Sequence, residues 1–285
     1  MRSLAWRHFR KHRLAMVGTI LLGMLLLGAT FIPLVANYDP ATTHLGDKYL
    51  PPSLAHPMGT DGLGRDLVVR SMDGGRASLL VGLAATLLAV TFGTAVGAAA
   101  GFYGGMIDNL LMRLVDIGLT LPTLFVAILF TQLLRAGGVP WLSAGVVPIV
   151  LVIAATSWMS VARVVRAAYL SIKQREFIAA ARGAGARNGR IILRHILPNA
   201  ASPIIVAATL RVGAAILTES GLSYLGFGVQ PPTPTWGNML QNAQAEMGYA
   251  PWTAFFPGLF IFLTVISINY IGDGLRDALD PWRVQ

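Results

Sequence analysis

Uncharged apolar runs fill nearly half of the chain, and the charged residues collect in the segments between them. Six runs stand out: Leu14 to Ala36, Ala77 to Gly101, Ile117 to Leu134, Val139 to Ala162, Ile196 to Leu210 continuing past Arg211 to Thr218, and Pro251 to Gly272. A helix needs about 20 apolar residues to cross a hydrocarbon core, and these runs reach or approach that length. None shows the strict two-residue alternation of a membrane barrel strand. The pattern predicts an all-α membrane protein with six transmembrane helices. It divides into a segment 1–13, a first helix 14–36, an external loop 37–76, and a five-helix core 77–285 that includes a polar insert at 163–195.

Composition supports this. The chain is 54% hydrophobic and 12% charged, about half the roughly 25% charge of a soluble domain. The basic stretch "MRSLAWRHFRKHR" resembles the flank of a secretory signal, but the apolar run behind it is longer than the roughly 7–15 residues of a signal core. Cysteine is absent, which removes disulfides and thiolate metal sites. The net charge of +9 points first to topology rather than to nucleic acid, because Lys and Arg in a membrane protein report sidedness.

Arg2, Arg7, Arg10, Lys11 and Arg13 precede the first helix with no acid among them. Between the fourth and fifth helices stand Arg163, Arg166, Lys173, Arg175, Arg182, Arg187, Arg190 and Arg194 against Glu176 alone. The loop Asn37 to Arg76 is instead rich in Asp, and Ser220 to Ala250 contains no Lys or Arg. The positive-inside rule places both basic segments and both termini in the cytoplasm.

The insert holds more than charge. Ala179, Ala180, Ala181, Gly183, Ala184, Gly185 and Ala186 form a stretch with little side-chain bulk, suited to close approach by another body. Glu176 favours a helix start through the macrodipole, and the glycines predict a break before "RIILRHIL" resumes. In the external loop, Thr60 or Asp61 is suited to capping a short helix, and Pro231, Pro232 and Pro234 stiffen "VQPPTPTWGN".

No phosphate cradle of the form G-x-x-x-x-G-K-[ST] exists, because none of Lys11, Lys48 and Lys173 follows a glycine; the chain is not an ATPase by itself. Neither H-E-x-x-H nor G-x-S-x-G occurs. His44 and His56 are conceivable metal ligands but read better as solvated surface residues. Ionisable residues at membrane depth are costly and therefore informative. Arg113 and Asp116, three apart on one helix, are expected to pair locally. Arg211 has no acid within a turn and must face a partner helix, a cavity or water; were the chain to form a path across the membrane, Arg211 and Glu219 would be the pathway candidates.

"EFIAAARGAGARNGRIILRHILPN" resembles the EAA loop of permease subunits in ABC importers: EAA, three residues, Gly, nine residues, then I-x-L-P. With Pro198 as anchor, the glycine falls on Gly185 and the triplet on Ala179, Ala180 and Ala181. Ala179 replaces the usual Glu and His195 stands at the Ile position. "HPMGTDGLGRDLVVRSMDGGRASL", beginning at His56, and "ESGLSYLGFGVQPPTPTWGNML", beginning at Glu219, are similar to the C-type permease of dipeptide, oligopeptide and nickel importers. The resemblance implies an ABC importer permease of type I fold in a bacterial or archaeal cytoplasmic membrane. It further implies a related B-type permease as partner, two cytoplasmic ATPase subunits and an external substrate-binding protein. Glu176, Ala179, Ala180, Ala181, Gly185, Arg187 and Pro198 would form the ATPase-coupling surface. No cofactor is then expected on this subunit, and ATP and Mg belong to the ATPase partners. Peptide is the first substrate expected and nickel the second. A membrane scaffold that only recruits a cytoplasmic protein is the competing reading. A self-sufficient secondary transporter would carry an inverted repeat with broken helices, which is not detected in the sequence.

Overall fold

The computed structural model describes residues 2–35, 42–143 and 145–279, and no strand occurs among them. Helix α1 (Arg2–Lys11) is set off at His12 from α2 (Arg13–Val35). A 3-10 turn at Leu45–Asp47 precedes α3 (Leu67–Tyr103), α4 (Gly105–Thr120), α5 (Thr123–Ala136), α6 (Pro140–Ser143) and α7 (Val147–Lys173). The polar insert carries α8 (Glu176–Gly183) and α9 (Asn188–Arg190), followed by a π-helical stretch Ile191–Ile196 that runs into α10 (Leu197–Tyr224). Short α11 (Trp236–Ala243) and long α12 (Trp252–Leu279) complete the chain.

Five helices are long and apolar enough to cross a membrane, or six if α4 and α5 count as one span bent by 95°. The bend corrects the expected straight helix from Ile117 to Leu134. Pro122 disfavours α geometry at the residue before it, and Leu121 is extended, with φ −79° and ψ 136°. Helix α3 also begins at Leu67 rather than at Ala77. The Asp66 carboxylate caps it by accepting from the amides of Val68 and Val69 at 2.8 and 3.1 Å, so Arg70, Asp73 and Arg76 ride on the helix instead of in the loop. Neither Thr60 nor Asp61 makes this cap.

The most extensive helix pair is α3 with α7. Gly93, Gly97 and Gly101 recur every four residues along one face of α3, and a Cβ at Gly93 would sit 2.6 Å from the Trp158 carbonyl. Such a small-residue stripe lets two backbones approach where no hydrophobic driving force separates helix from lipid. Two ion pairs brace α4 against α7. Arg166 grips Asp108 through two nitrogens, at 2.5 and 2.6 Å, and Arg163 meets Asp116 at 2.5 Å. Asp116 thus pairs across helices and not with Arg113, because α7 brings a guanidinium within reach.

Candidate coupling surface and outer cap

The basic insert folds as a short helix standing on one buried side chain. Arg175 is extended (φ −72°, ψ 146°) and α8 starts at Glu176. Ile178 is 1% exposed and packs among Val165, Tyr169, Ile191 and Ile196. The Arg182 guanidinium lies 5.8 Å and the Lys173 ammonium 5.6 Å from the centre of the Phe102 ring, and Lys173 also donates to the Phe102 carbonyl. These contacts tie the insert to the ends of α3 and α7.

The other face of α8 is open. Glu176, Ala179, Ala180, Gly183, Ala184, Gly185 and Arg187 are exposed, while Ala181 and Ala186 are half-buried. The helix ends in a Schellman turn, in which the Ala186 amide donates to the Ala181 carbonyl and the Gly185 amide to that of Arg182. Gly185 takes φ +78° to close it, with nothing within 4 Å of where a Cβ would stand. The expected short helix, break and second helix are all present. Phe177, 43% exposed beside this face, escaped the sequence reading. Of two adjacent apolar residues on a short helix only one can turn inward, so the pair Phe177–Ile178 carried the signal.

Pro198 is exposed at the start of α10. It has no amide to give the Arg194 carbonyl, and its ring crowds that position in α geometry. The backbone widens to π spacing just before it, where the Leu197 amide bonds to the Ile192 carbonyl. His195 is half-buried, and its carbonyl accepts from the Asn199 side chain at 2.7 Å.

At the far end of α10, Glu219 is fully buried. Ser78 donates to its carboxylate at 3.0 Å, Ser223 at 2.7 Å and Ser220 at 3.5 Å, and the Thr235 hydroxyl joins them. The same hydroxyls carry the contacts outward: Ser78 Oγ accepts from the Trp236 amide, and Ser223 Oγ from that of Val229. Trp236 is 1% exposed and donates its indole N–H to the Ser71 carbonyl at 2.8 Å. Glu219 therefore joins α3, α10 and α11 at one point. Arg211 is half-buried on α10 and forms no salt bridge among the described residues; the structure does not bring it together with Glu219.

Residues 42–66 and the stretch after Tyr224 form a cap above this point. Asp61 accepts from the amides of Leu63 and Arg65 and from the Arg65 guanidinium. His56 is not a solvated surface residue, because its Nδ1 lies 2.9 Å from Asp66 and its side chain is 12% exposed. The Tyr49 hydroxyl donates to Glu246 at 3.2 Å, and burial pushes the Glu246 carboxyl above the ordinary range. A cavity of about 530 Å³ lies between the two stretches, lined by Tyr49, Arg65, Arg70, Asn242 and Glu246 among others.

A buried polar joint thus lies at one end of the apolar helical core, and a short helix anchored by one side chain, with its other face bare, lies at the other. The family model for the binding-protein-dependent transport system inner membrane component matches residues 93–285, and that for the N-terminal TM domain of oligopeptide transport permease C matches residues 1–52. The chain belongs to the binding-protein-dependent transport system inner membrane component family. It is 41% identical to the oligopeptide transport system permease protein OppC of Bacillus subtilis, over 97% of this chain and 88% of that one. It is 43% identical to the dipeptide transport system permease protein DppC of Alkalihalophilus pseudofirmus, with the same coverage. The glutathione transport system permease protein GsiD of Escherichia coli is 41% identical over 97% of this chain and 89% of its own. Among solved structures, an inward-facing conformation of the MetNI methionine ABC transporter superposes with a TM-score of 0.60 at 18% identity, covering 73% of this chain and 95% of that chain. That likeness establishes the type I ABC permease fold.

Proposed function

We propose that this chain is a C-type permease subunit which, with a related B-type permease, forms the path for di- and oligopeptides delivered by an external binding protein. Two cytoplasmic ATPase subunits supply the energy, holding ATP and Mg between them, and this subunit is not an enzyme. Both termini and the insert 163–195 face the cytoplasm, as the distribution of Lys and Arg requires. The observation that carries the reading is α8: a helix anchored by Ile178, with an open face of alanine and glycine. Small residues let an ATPase groove close on the backbone, and Arg187 sits at the rim, where charge sets orientation. The relatives' names favour peptide over nickel, since oligopeptide, dipeptide and glutathione are all peptides.

The test is uptake of a labelled dipeptide into vesicles containing both permeases, both ATPases and the binding protein. Uptake requires ATP, competes with unlabelled dipeptide but not with nickel, and disappears when this subunit is omitted. Uptake that persists without it would leave only a scaffold role.

A further inference from the structure

We propose that the groove between α2, α3, α10 and α12 holds an acyl chain of an anionic glycerophospholipid whose headgroup rests on the basic residues of α1 and the start of α2. The inference depends on the inward placement of the N-terminal segment proposed above.

The groove has a volume of about 490 Å³, and every residue lining it is apolar except Thr86 and Thr209. All four walls belong to candidate membrane spans, with Leu22 on α2, Leu83 on α3, Val212 on α10 and Ile271 on α12. It opens sideways, since Leu26, Leu83 and Leu87 along it are 41%, 52% and 68% exposed. The α3 wall from Leu79 to Val90 runs about 16 Å at 1.5 Å per residue, roughly one leaflet of a hydrocarbon core about 30 Å thick. Hydrocarbon of that length is the occupant such a site fits.

Ile271 decides which leaflet supplies it. This side chain lines the groove and also packs against the cluster of Phe9, Ala15 and Ala278 that docks α1 onto α12. Phe9 is 7% exposed, while Trp6, stacked on it at 5.9 Å, is 59% exposed, as befits an aromatic at a membrane interface. Around this anchor Arg7, Arg10, Lys11 and Arg13 are exposed. Nearby on α12 stand Arg276, Asp273 and Asp277, the last 3.9 Å from His12. Five cations against two carboxylates leave the patch positive. A hydrocarbon site joined to a cationic patch supplies the two signals that hold a lipid specifically, where one alone holds it weakly.

The experiment uses the assembled importer, purified in detergent and examined by native mass spectrometry after exposure to equal amounts of phosphatidylglycerol and phosphatidylcholine. The wild-type complex retains phosphatidylglycerol in preference. Replacing Arg7, Arg10 and Lys11 together by Gln lowers that preference on the order of 100-fold, since each basic residue near an anionic surface contributes about a factor of five. Leu83→Trp fills the groove and reduces retention of both lipids; if that complex does not assemble, Leu87→Trp, at the more exposed neighbouring position, takes its place. Equal retention of the two lipids by wild type, or undiminished phosphatidylglycerol retention in the variants, overturns the proposal. Because the chain has no cysteine, Trp6→Cys reports sidedness separately. Labelling of that cysteine by an impermeant maleimide in intact cells would remove the inward placement itself.

Discussion

Two helices of this protein end in the same hydrogen-bonded turn, α8 at Gly185 and α10 at Gly226, and their surroundings are opposite. Gly185 has φ +78° and Gly226 φ +83°, and in both the amides of the glycine and of the residue after it return to the last turn of the helix. Around Gly185, beyond its chain neighbours, no atom of the described residues stands within 4 Å of a would-be Cβ. Beside Gly226 the chain turns back on itself: the end of the Gln241 side chain lies 3.0 Å from such a Cβ, and one at nearby Gly237 would meet the Ser220 carbonyl at 2.6 Å. The same backbone device serves two ends. The turn at Gly226 is backed by the chain itself, beside the joint of Glu219, Trp236 and their hydroxyl partners. The turn at Gly185 presents a finished shape with no counterpart among the described residues, which is what the proposed docking role calls for.

The contrast separates substitutions that destroy the subunit from those that only disconnect it. The largest effect is expected at the outer joint. Glu219→Ala leaves the Ser78 and Ser223 hydroxyls without their acceptor, and each buried unpaired group costs about 1–3 kcal/mol; Gly237→Val adds a backbone collision. Both should remove most folded protein from the membrane, as read by detergent-solubilised monodisperse yield. Full yield of Glu219→Ala would show that the joint is dispensable. Ile178→Ala should come next. It costs about 2–5 kcal/mol of local packing and loosens α8, so that ATPase is lost from the purified complex while the permease stays inserted; full retention of ATPase would show that the anchor does not hold the docking helix.

Arg211→Gln lies between the two ends and should lower uptake about tenfold with assembly unchanged, because a half-buried cation in an apolar helix is kept at a cost. Loss of the assembled complex would make Arg211 a structural contact instead. The smallest effect belongs to Arg187→Glu. A solvent-exposed rim charge contributes up to about 1 kcal/mol, so uptake should fall less than about fivefold, and less still at high salt.

Much of this was legible in the chain because membranes impose long apolar runs and charged loops. The start of α10 near Ile196 and the course of α12 from Trp252 follow the runs closely. The failures have separate causes, the first being that polarity reads as loop. Arg70, Asp73 and Arg76 hid the beginning of α3, although Asp66 ahead of Leu67 was a capping signal. Pro122 inside an apolar run announced the bend between α4 and α5, yet hydropathy alone passes over it. Partners across helices were beyond reach: nothing local tells Asp116 to choose Arg163 over Arg113, since α4 and α7 meet only in three dimensions. Likewise, Glu219 read as a lone membrane acid until Ser78 and Thr235 arrived from distant segments.

The measurement closest to the central claim is ATP-dependent dipeptide uptake by an importer carrying Gly185→Val. A β-branched residue at φ +78° is strained, but no atom of the described residues beyond its chain neighbours stands within 4 Å of its Cβ, so the subunit should insert and pair with the proposed partner permease in normal amount. What it obstructs is the proposed docking face and the turn that shapes it. No uptake is expected, with either loss of bound ATPase or ATP hydrolysis that no longer responds to loaded binding protein. Normal uptake by the Gly185→Val complex would contradict this and reduce the insert to an anchor for orientation.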